Sequence, residues 1–311
     1  MIPKNHQSID VVGTGFTVLD RLYADGTFAA EALGGSCGNV LVSLAMLHRQ
    51  VAPVLALGCD EIGARLFDEF RLAGANTTFI HRHEGRRSPV LRQELDTLSG
   101  QHSFSFICHE TFEEYPHYEP IGLAEVHSAS QALEGCTIFY ADRLSPTILH
   151  AMEKVHAAGA MIYFEPSDFD DALFDEALAL TTILKYSSDR LGSELDDRVA
   201  QSTVIAIVTH GADGLEVRHG HERVWSAAVP VADVIDSCGS GDMVSVGLID
   251  WLLARPRARH AQMNIHDLMR GVLAGQRLAA ENCTFAGARG VFQHHDAAYV
   301  RSILAPAPHD Y

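Results

Sequence analysis

The sequence predicts an α/β fold, a three-layer sandwich in which helices cover both faces of a mostly parallel central sheet. Short apolar runs alternate with helical stretches along most of the 311 residues. Strands that read as continuous apolar runs are typical of parallel sheets, because those sheets are buried on both faces. Between residues 86 and 112, runs of alternating polar and apolar residues break this order. The interruption predicts a small inserted β structure.

Six apolar runs predict the strands of the central sheet, at residues 9–13, 51–57, 136–140, 160–164, 182–186 and 204–209. Residues 215–225 alternate on either side of His219-Gly220-His221 and predict a hairpin. Residues 61–73 repeat apolar side chains at helical period after Asp60, a suitable N-cap. A second helix is predicted to begin just after the glycines at positions 34, 35 and 38.

The inserted β structure is a predicted antiparallel hairpin. Its strands are the runs at 90–95 and 103–108, and residues 98–101 supply the turn. We expect residues 1–311 to form a single domain in which segments of approximately 15–33 and 86–112 make a small lid. The alternative is an edge hairpin that only covers the core. If the hairpin exposes Phe104 or Phe106, pairing with a second copy would bury apolar surface and give a homodimer.

Composition excludes several classes of protein. The net charge of −17 argues against a nucleic-acid coat or a protein that binds anionic membranes, because both need a basic surface. No stretch approaches the roughly 18 apolar residues that a membrane helix needs. The start of the chain lacks the pattern of a signal sequence, and the six cysteines are scattered as expected for buried thiols in a reducing compartment. We therefore expect a cytoplasmic protein.

Histidine spacing offers two weak candidates for a metal site. His81-x-His83 and His294-His295-Asp296 place potential ligands close together in the chain, with solvated loop histidines as the alternative explanation. Neither matches an established metal-binding spacing.

The segment that most clearly indicates a catalytic site is Asp236-Ser237-Cys238-Gly239-Ser240-Gly241-Asp242, which leads into an apolar helical run. Small residues at a helix start present backbone amides to an anion. Asp242 is placed to accept a proton from an attacking hydroxyl while the amides stabilise a transferring phosphoryl group. A capped helix after a glycine-rich turn is the alternative. The chain contains neither a Walker-type phosphate loop nor a complete G-x-G-x-x-G fingerprint.

In these motifs the sequence resembles the ribokinase/PfkB family of carbohydrate kinases. Segment 236–242 matches the family's C-terminal D-T-x-G-A-G-D signature, and Gly34-Gly35-Ser36-Cys37-Gly38-Asn39 matches its N-terminal signature. Asp20 and the segments 58–63 and 209–214 are further matches. The matches follow the family order from about residue 9 to about residue 292, nearly the whole chain.

The resemblance implies a ribokinase-like fold and ATP-dependent transfer of the γ-phosphoryl group to a hydroxymethyl group of a sugar or sugar-like substrate. Asp242 would be the general base. The other implied site residues are Gly239, Ser240 and Gly241 in the anion hole, Asp20, Gly34, Gly35 and Asn39 at the substrate, and Ser187, Thr209, Gly211, Gly214 and Asn282 on the nucleotide side. Mg²⁺ would accompany ATP, and many relatives bind a monovalent cation beside the anion hole.

Two departures from the family pattern bear on function. The family's N-x-x-E motif, which helps to organise magnesium, aligns with Ser187-Ser188-Asp189-Arg190, so the motif's glutamate is missing. We therefore assign no metal ligand. Asp189 or Glu194 could supply the carboxylate from a shifted position. The D-P-N-x-R pattern of fructokinase-like members is reduced to Glu165-Pro166-Ser167-Asp168, which leaves the substrate open. Arg92 and Arg143 are candidate substrate contacts that would suit a carboxylate or phosphate, with surface charge as the alternative.

Three alternatives accompany the kinase prediction. A nucleoside kinase of the same fold would use the same hydroxyl-binding residues. A ligand-binding regulator with weak catalysis on a kinase fold is suggested by the altered Ser187–Arg190 segment. A nucleotide-dependent oxidoreductase is disfavoured because the third glycine of its fingerprint is missing. In each case the partner is a small molecule, and no nucleic acid or membrane is expected.

Overall fold

A computed structural model describes residues 9–99, 101–168, 171–256 and 264–306. Its strands in chain order are β1 (Val11–Thr14), β2 (Val18–Ala24), β3 (Thr27–Gly34), β4 (Val51–Pro53), β5 (Leu55–Gly58), β6 (Ile80–His83), β7 (Val90–Leu95), β8 (His102–Ser105), β9 (Ile138–Ala141), β10 (Met161–Phe164), β11 (Ile183–Ser187), β12 (Ile205–Thr209), β13 (Gly214–His219) and β14 (Glu222–Ala227).

The helices in chain order are α1 (Ser36–Met46), α2 (Glu61–Leu72), α3 (Leu123–Ser128), α4 (Ser130–Gly135), α5 (Pro146–Ala157), α6 (Asp171–Leu180), α7 (Ser188–Leu191), α8 (Asp196–Ala200), α9 (Ser240–Leu253), α10 (Ile265–Asn282), α11 (Gly290–His294) and α12 (Ala297–Leu304).

The central sheet has the strand order β14-β13-β12-β11-β10-β9-β1-β4. Pairing is parallel from β4 through β12, and β13 and β14 add an antiparallel edge. Successive residues of a strand enter different cores: Val11 packs with α1, α9 and α10, whereas Val12 packs with α3, α5 and α6. This alternation confirms the predicted three-layer sandwich, in which both faces of the sheet are buried.

Five of the six predicted central strands are confirmed to within a few residues, as is the hairpin of β13 and β14. The run at 51–57 is not one strand. It divides into β4, at the edge of the central sheet, and β5, which pairs with β6 in a separate two-stranded sheet. Strand β4 ends at Pro53, although the Val54 amide still donates to the Gly13 carbonyl of β1 over 2.8 Å. Proline is tolerated here because β4 is an edge strand, where a missing amide proton costs no ladder bond.

A second sheet, of order β3-β2-β7-β8, lies at the edge of the sandwich, as predicted for the inserted β structure. Strands β7 and β8 form the expected antiparallel hairpin. Strand β8 ends at Ser105, three residues before the predicted end at Cys108. The chain turns there because the carbonyl of Phe106 and the amide of Cys108 bond with residues 113–115 instead of β7. Phe104 is 48% exposed.

Both predicted helices are present, and Asp60 caps α2 by accepting from the Gly63 amide over 2.7 Å. Helix α1 begins at Ser36, so Gly38 lies inside the helix and not before it. A Cβ atom at Gly38 would lie 2.6 Å from the Leu33 side chain. The glycine therefore permits close packing of α1 on β3.

The six cysteines all lie within the described residues and form no disulfide; Cys59 is exposed, and the other five are buried as expected. None of the described helices is long and apolar enough to span a bilayer.

Candidate active site

The carboxyl ends of the parallel strands bring polar residues to one edge of the central sheet. Asp142 follows β9, Glu165 follows β10, and Ser187 and Thr209 end β11 and β12. The N-termini of α1 and α9 reach the same edge through Asn39 and Asp242. This is the position at which open α/β folds bind ligands.

Asp242 lies in the first turn of α9, and its Oδ2 atom accepts a hydrogen bond of 2.8 Å from Nδ2 of Asn39 on α1. Burial and the nearby carboxylate of Glu165 raise the pKa of Asp242 well above its usual range, whereas Asn39 and Lys185 act to lower it. A carboxyl group poised in this way suits proton abstraction near neutral pH.

The N-terminus of α9 is shaped by Gly239, which has φ 71°. A Cβ atom there would lie 2.3 Å from the Ala288 carbonyl oxygen, so only glycine fits. The first amides of a helix have no partner within the helix. The amide of Ser240 donates to the Ser237 carbonyl over 3.3 Å, and a Cβ atom at Gly241 would lie 3.5 Å from the ammonium nitrogen of Lys185. Of the three predicted anion-hole amides, the Ser240 amide thus already has an acceptor.

A buried ion pair lies behind Asp242. Lys185 on β11 bonds Oε1 of Glu165, and Oε2 of Glu165 accepts from Ser245 over 2.6 Å and from Tyr140 over 3.1 Å. The Lys185 side chain is only 3% exposed. Sequence reasoning missed Lys185; a lone lysine inside an otherwise apolar strand was the available signal.

Asp20, on β2, lies against Gly34, where a Cβ atom would be 1.8 Å from Oδ2. Gly34 therefore contributes room for this carboxylate, and Gly35 is the N-cap of α1. The Oδ1 atom of Asp20 is buried without a hydrogen-bond partner, as is Oδ1 of Asn39. Burial raises the pKa of Asp20 to about 7, partly offset by Arg289, while the Asp242 carboxylate raises it further. The structure thus brings two unsatisfied acceptors close to Asp242.

Arg143, two residues after the end of β9, is the nearest of the predicted arginine contacts to Asp142 and the candidate site. Its guanidinium donates to the carbonyl of Asp142 over 2.8 Å and to the carboxylate over 3.3 Å, and it lies 4.4 Å from the centre of the Phe16 ring. Burial raises the pKa of Asp142 to about 6 against the lowering effect of Arg143. The positive charge of Arg143 is therefore largely compensated by its own neighbour.

Arg92 does not face the candidate site. It pairs across the small sheet with Arg21, whereas Asp20 pairs with Leu91. Side chains alternate between the faces of a strand, so Arg92 and Asp20 lie on opposite faces. Arg92 instead bonds Glu94 over 2.8 Å. The register therefore gives no support to its predicted role as a substrate contact.

On the predicted nucleotide side, Ser187 and Thr209 are in register at the ends of adjacent strands. Gly211 follows in the turn after β12, and Gly214 is the first residue of β13. Asn282 is different: it is fully buried, donates to the Ala288 carbonyl over 3.2 Å and accepts from the Val291 amide over 3.1 Å. These bonds commit the side chain to the backbone, so the geometry gives no support to the predicted contact between Asn282 and the nucleotide.

Asp236, the first residue of the glycine-rich segment, holds the loop before α9 through hydrogen bonds to backbone amides. Its Oδ1 atom accepts from the Cys238 amide over 2.8 Å and its Oδ2 atom from the Gly287 amide over 2.9 Å. Gln93 of β7 lies 3.3 Å from Asp236 Oδ2 and 3.4 Å from Cys238 Sγ. The small sheet is thereby bonded to the loop that precedes α9.

In the segment 187–190, which departs from the family pattern, the structure describes one carboxylate side chain. Asp189 and Arg190 lie on the short helix α7 and are both exposed. The side chain of Glu194 lies outside the described residues. Among the described side chains, no group of three potential metal ligands occurs at this edge of the sheet.

The comparisons with known proteins agree with this geometry. The model of the pfkB family of carbohydrate kinases matches residues 29–293. A fructokinase from Salmonella typhimurium is 25% identical over 260 residues, which cover 77% of this chain and 83% of the relative.

Two solved structures share the fold. A fructokinase from Xylella fastidiosa with bound ATP has a TM-score of 0.75 at 20% identity, over 94% of this chain and 98% of its own. A putative ribokinase II from E. coli, in complex with ATP and Mg²⁺, has a TM-score of 0.73 at 15% identity, over 95% and 99%. The chain belongs to the pfkB family of carbohydrate kinases, has the ribokinase-like fold and is a phosphotransferase.

Proposed function

We propose that this protein is an ATP-dependent kinase that transfers the γ-phosphoryl group to a hydroxymethyl group of an uncharged sugar. The observation that carries the proposal is the pair of buried acceptors, Asp20 Oδ1 and Asn39 Oδ1, beside Asp242. Buried acceptors without partners cost free energy unless a ligand satisfies them. Sugar hydroxyls are suitable donors, and they leave a further hydroxyl for Asp242.

Asp242 acts as the general base in this proposal. Its raised pKa brings the carboxylate closer to the basicity needed to take a proton from a hydroxyl as phosphoryl transfer proceeds. Asn39 holds one carboxylate oxygen through its 2.8 Å hydrogen bond. The other oxygen is then left to face the substrate.

The N-terminus of α9 fits the phosphates of ATP. The amides of its first turn supply partial positive charge where a transferring phosphoryl group would develop negative charge. The ammonium group of Lys185 lies near Gly241, and its charge is shared with its ion partner Glu165. Mg²⁺, when bound, neutralises phosphate oxygens. It would be held chiefly by phosphate and water oxygens, the ligands that Mg²⁺ usually takes in nucleotide sites.

The charges around the site favour an uncharged substrate. Arg143 is engaged by Asp142, and Arg289 donates to the Leu33 carbonyl over 2.7 Å and to Glu69 over 3.1 Å. Burial, and secondarily the Asp242 carboxylate, raise the pKa of Asp20, and burial and the Glu165 carboxylate raise that of Asp242. A second negative charge brought to this site would therefore meet carboxylates in a poorly hydrated setting. A sugar acid would add a further negative charge.

We also propose that the small sheet acts as the lid. It carries Asp20 on β2, and Gln93 of β7 contacts the loop before α9. Movement of the sheet would therefore move a substrate contact and a phosphate-binding loop together. We further propose a homodimer in which exposed Phe104 packs against a second copy of this sheet, and sedimentation velocity of the wild type against Phe104→Ser tests it.

The function is tested by ATP consumption with Mg²⁺ on a panel of neutral sugars, sugar acids and nucleosides. We expect turnover with a neutral sugar, and a loss of about 10²- to 10⁴-fold in kcat for Asp242→Asn with unchanged folding. Near-normal turnover by Asp242→Asn would contradict the assignment of the base. Turnover confined to a nucleoside or a sugar acid would replace the substrate class, and binding without turnover would identify a regulator. Repeating the assay with K⁺, Na⁺ or choline tests the monovalent cation.

A further inference from the structure

A group of three potential metal ligands lies on the two-stranded sheet of β5 and β6, among residues to which the proposed kinase reaction gives no role. His81 and His83 belong to β6, and Glu125 belongs to α3. Their ligand atoms all lie within 4.8 Å of one another. We propose that His81, His83 and Glu125 form a binding site for Zn²⁺.

The strand geometry brings the two imidazoles to the same side. Positions two apart on a strand share a face, so His81 and His83 both face α3. Arg82, between them, faces away and donates to the carbonyls of Gly58, over 3.1 Å, and Asp60, over 2.7 Å. The charge of Arg82 therefore does not compete with a cation at the site.

Glu125 is positioned before any ion arrives. Its carboxylate is only 4% exposed, and Oε2 accepts from the Gly122 amide at the start of α3 over 2.7 Å. The other oxygen, Oε1, lies 2.9 Å from His83 Nε2 and 3.3 Å from His81 Nδ1. Ligands of a tetrahedral zinc ion with bonds of about 2.0–2.1 Å stand roughly 3.3 Å apart, close to both of these distances.

A second group orients His81. Nε2 of its ring lies 2.9 Å from Ser128 Oγ, and that hydroxyl lies 3.2 Å from the Glu125 carbonyl. When Ser128 donates its proton to the carbonyl, it accepts from Nε2–H of His81. The Nδ1 lone pair then faces Glu125 Oε1, an arrangement typical of metal-bound histidines with an outer hydrogen-bond partner. The competing occupant of this gap is a proton.

The donor set selects the ion. Two imidazole nitrogens and one carboxylate oxygen suit Zn²⁺, whereas Mg²⁺ and Ca²⁺ prefer oxygen ligands. The side chains of His81 and His83 are 31% and 42% exposed, which leaves a fourth position open to water. The bound ion would join β6 to α3, which are separated in the chain by about 40 residues.

The test is a Zn²⁺ titration of the full chain, stripped with a chelator and held in excess Mg²⁺, against a chromogenic zinc chelator. We expect one tight equivalent in the wild type, and affinity at least about 100-fold lower in a His81→Gln, His83→Gln double variant. His127→Gln is the matched control, because His127 lies exposed on α3 and is not one of the three ligands. It should bind zinc like the wild type.

Two further measurements guard against misfolding and scattered surface binding. Zinc should raise the unfolding temperature of the wild type and of His127→Gln but not that of the double variant. Co²⁺ in place of Zn²⁺ should give the intense visible absorption of a four-coordinate site, and Glu125→Gln should weaken it. Equal zinc affinity in the wild type and the double variant, or no tight equivalent in the wild type, would overturn the proposal. None of these readouts depends on kinase activity.

Discussion

Asn39 and Asp242 are joined by a 2.8 Å hydrogen bond although 203 positions separate them in the chain. The bond connects the start of α1 with the start of α9, so the two glycine-containing signatures meet at one carboxylate. Because the Asn39 amide donates to the charged form of Asp242, it acts to lower the pKa of that carboxyl group against the effect of burial.

Asn39→Ala is therefore expected to change the pH dependence of catalysis. Loss of a hydrogen bond to a charged acceptor raises the pKa of Asp242, and the acid limb of the kcat profile should move up by about one pH unit. Activity should recover partly at higher pH. The measurement is kcat under saturating substrate across the pH range. A uniform loss of activity at every pH would show that Asn39 does not influence the base.

Asp20 is expected to make stability depend on pH. The pKa of Asp20 is about 7 in the folded protein, whereas an unfolded Asp titrates near 3.9. Between these values the folded state binds more protons than the unfolded state, so the free energy of unfolding falls as pH rises. The contribution is complete below the unfolded pKa and is lost as pH rises through the folded one.

Urea unfolding of the wild type and Asp20→Asn at about pH 5 and about pH 8 measures this effect. The variant lacks the titrating group, so it should gain stability relative to the wild type at the higher pH. A difference between the two proteins that stays constant with pH would contradict the raised pKa.

Much of the fold was predictable because a strand that is buried on both faces of a sheet consists of a continuous apolar run. The start of α9 was predictable too, since small residues before an apolar run mark a helix N-terminus. The two site predictions that the geometry does not support have a common cause. The faces of Arg92 and Asp20 depend on the register of β2 with β7, and the burial of Asn282 depends on a loop from a later part of the chain. Neither the strand register nor the burial by a later loop can be inferred from the spacing of neighbouring residues.

Gly239 is expected to be indispensable. Its φ of 71° and the 2.3 Å approach that a Cβ atom would make to the Ala288 carbonyl exclude a side chain. Gly220, in the turn between β13 and β14, has φ 58° but open space around it, and so provides a matched control. Gly220→Ala should cost about 1–2 kcal/mol with normal kinase activity. Gly239→Ala should cost clearly more in urea unfolding and should abolish turnover; equal costs would show that the loop yields to a methyl group.

Lys185 and Glu165 allow structural and catalytic roles to be separated. Lys185→Met leaves the Glu165 carboxylate without its ion partner in a buried site, which should cost about 3–5 kcal/mol of stability. Adding Glu165→Gln removes that charge, so the double variant should recover much of the loss. Turnover and the KM for ATP should stay impaired in Lys185→Met and in the double variant, because each lacks the ammonium group near Gly241. Urea unfolding and steady-state kinetics of the two single variants and the double variant measure the two effects separately. If kinetics recover together with stability, Lys185 only supports the fold and the phosphates are held by the α9 amides alone.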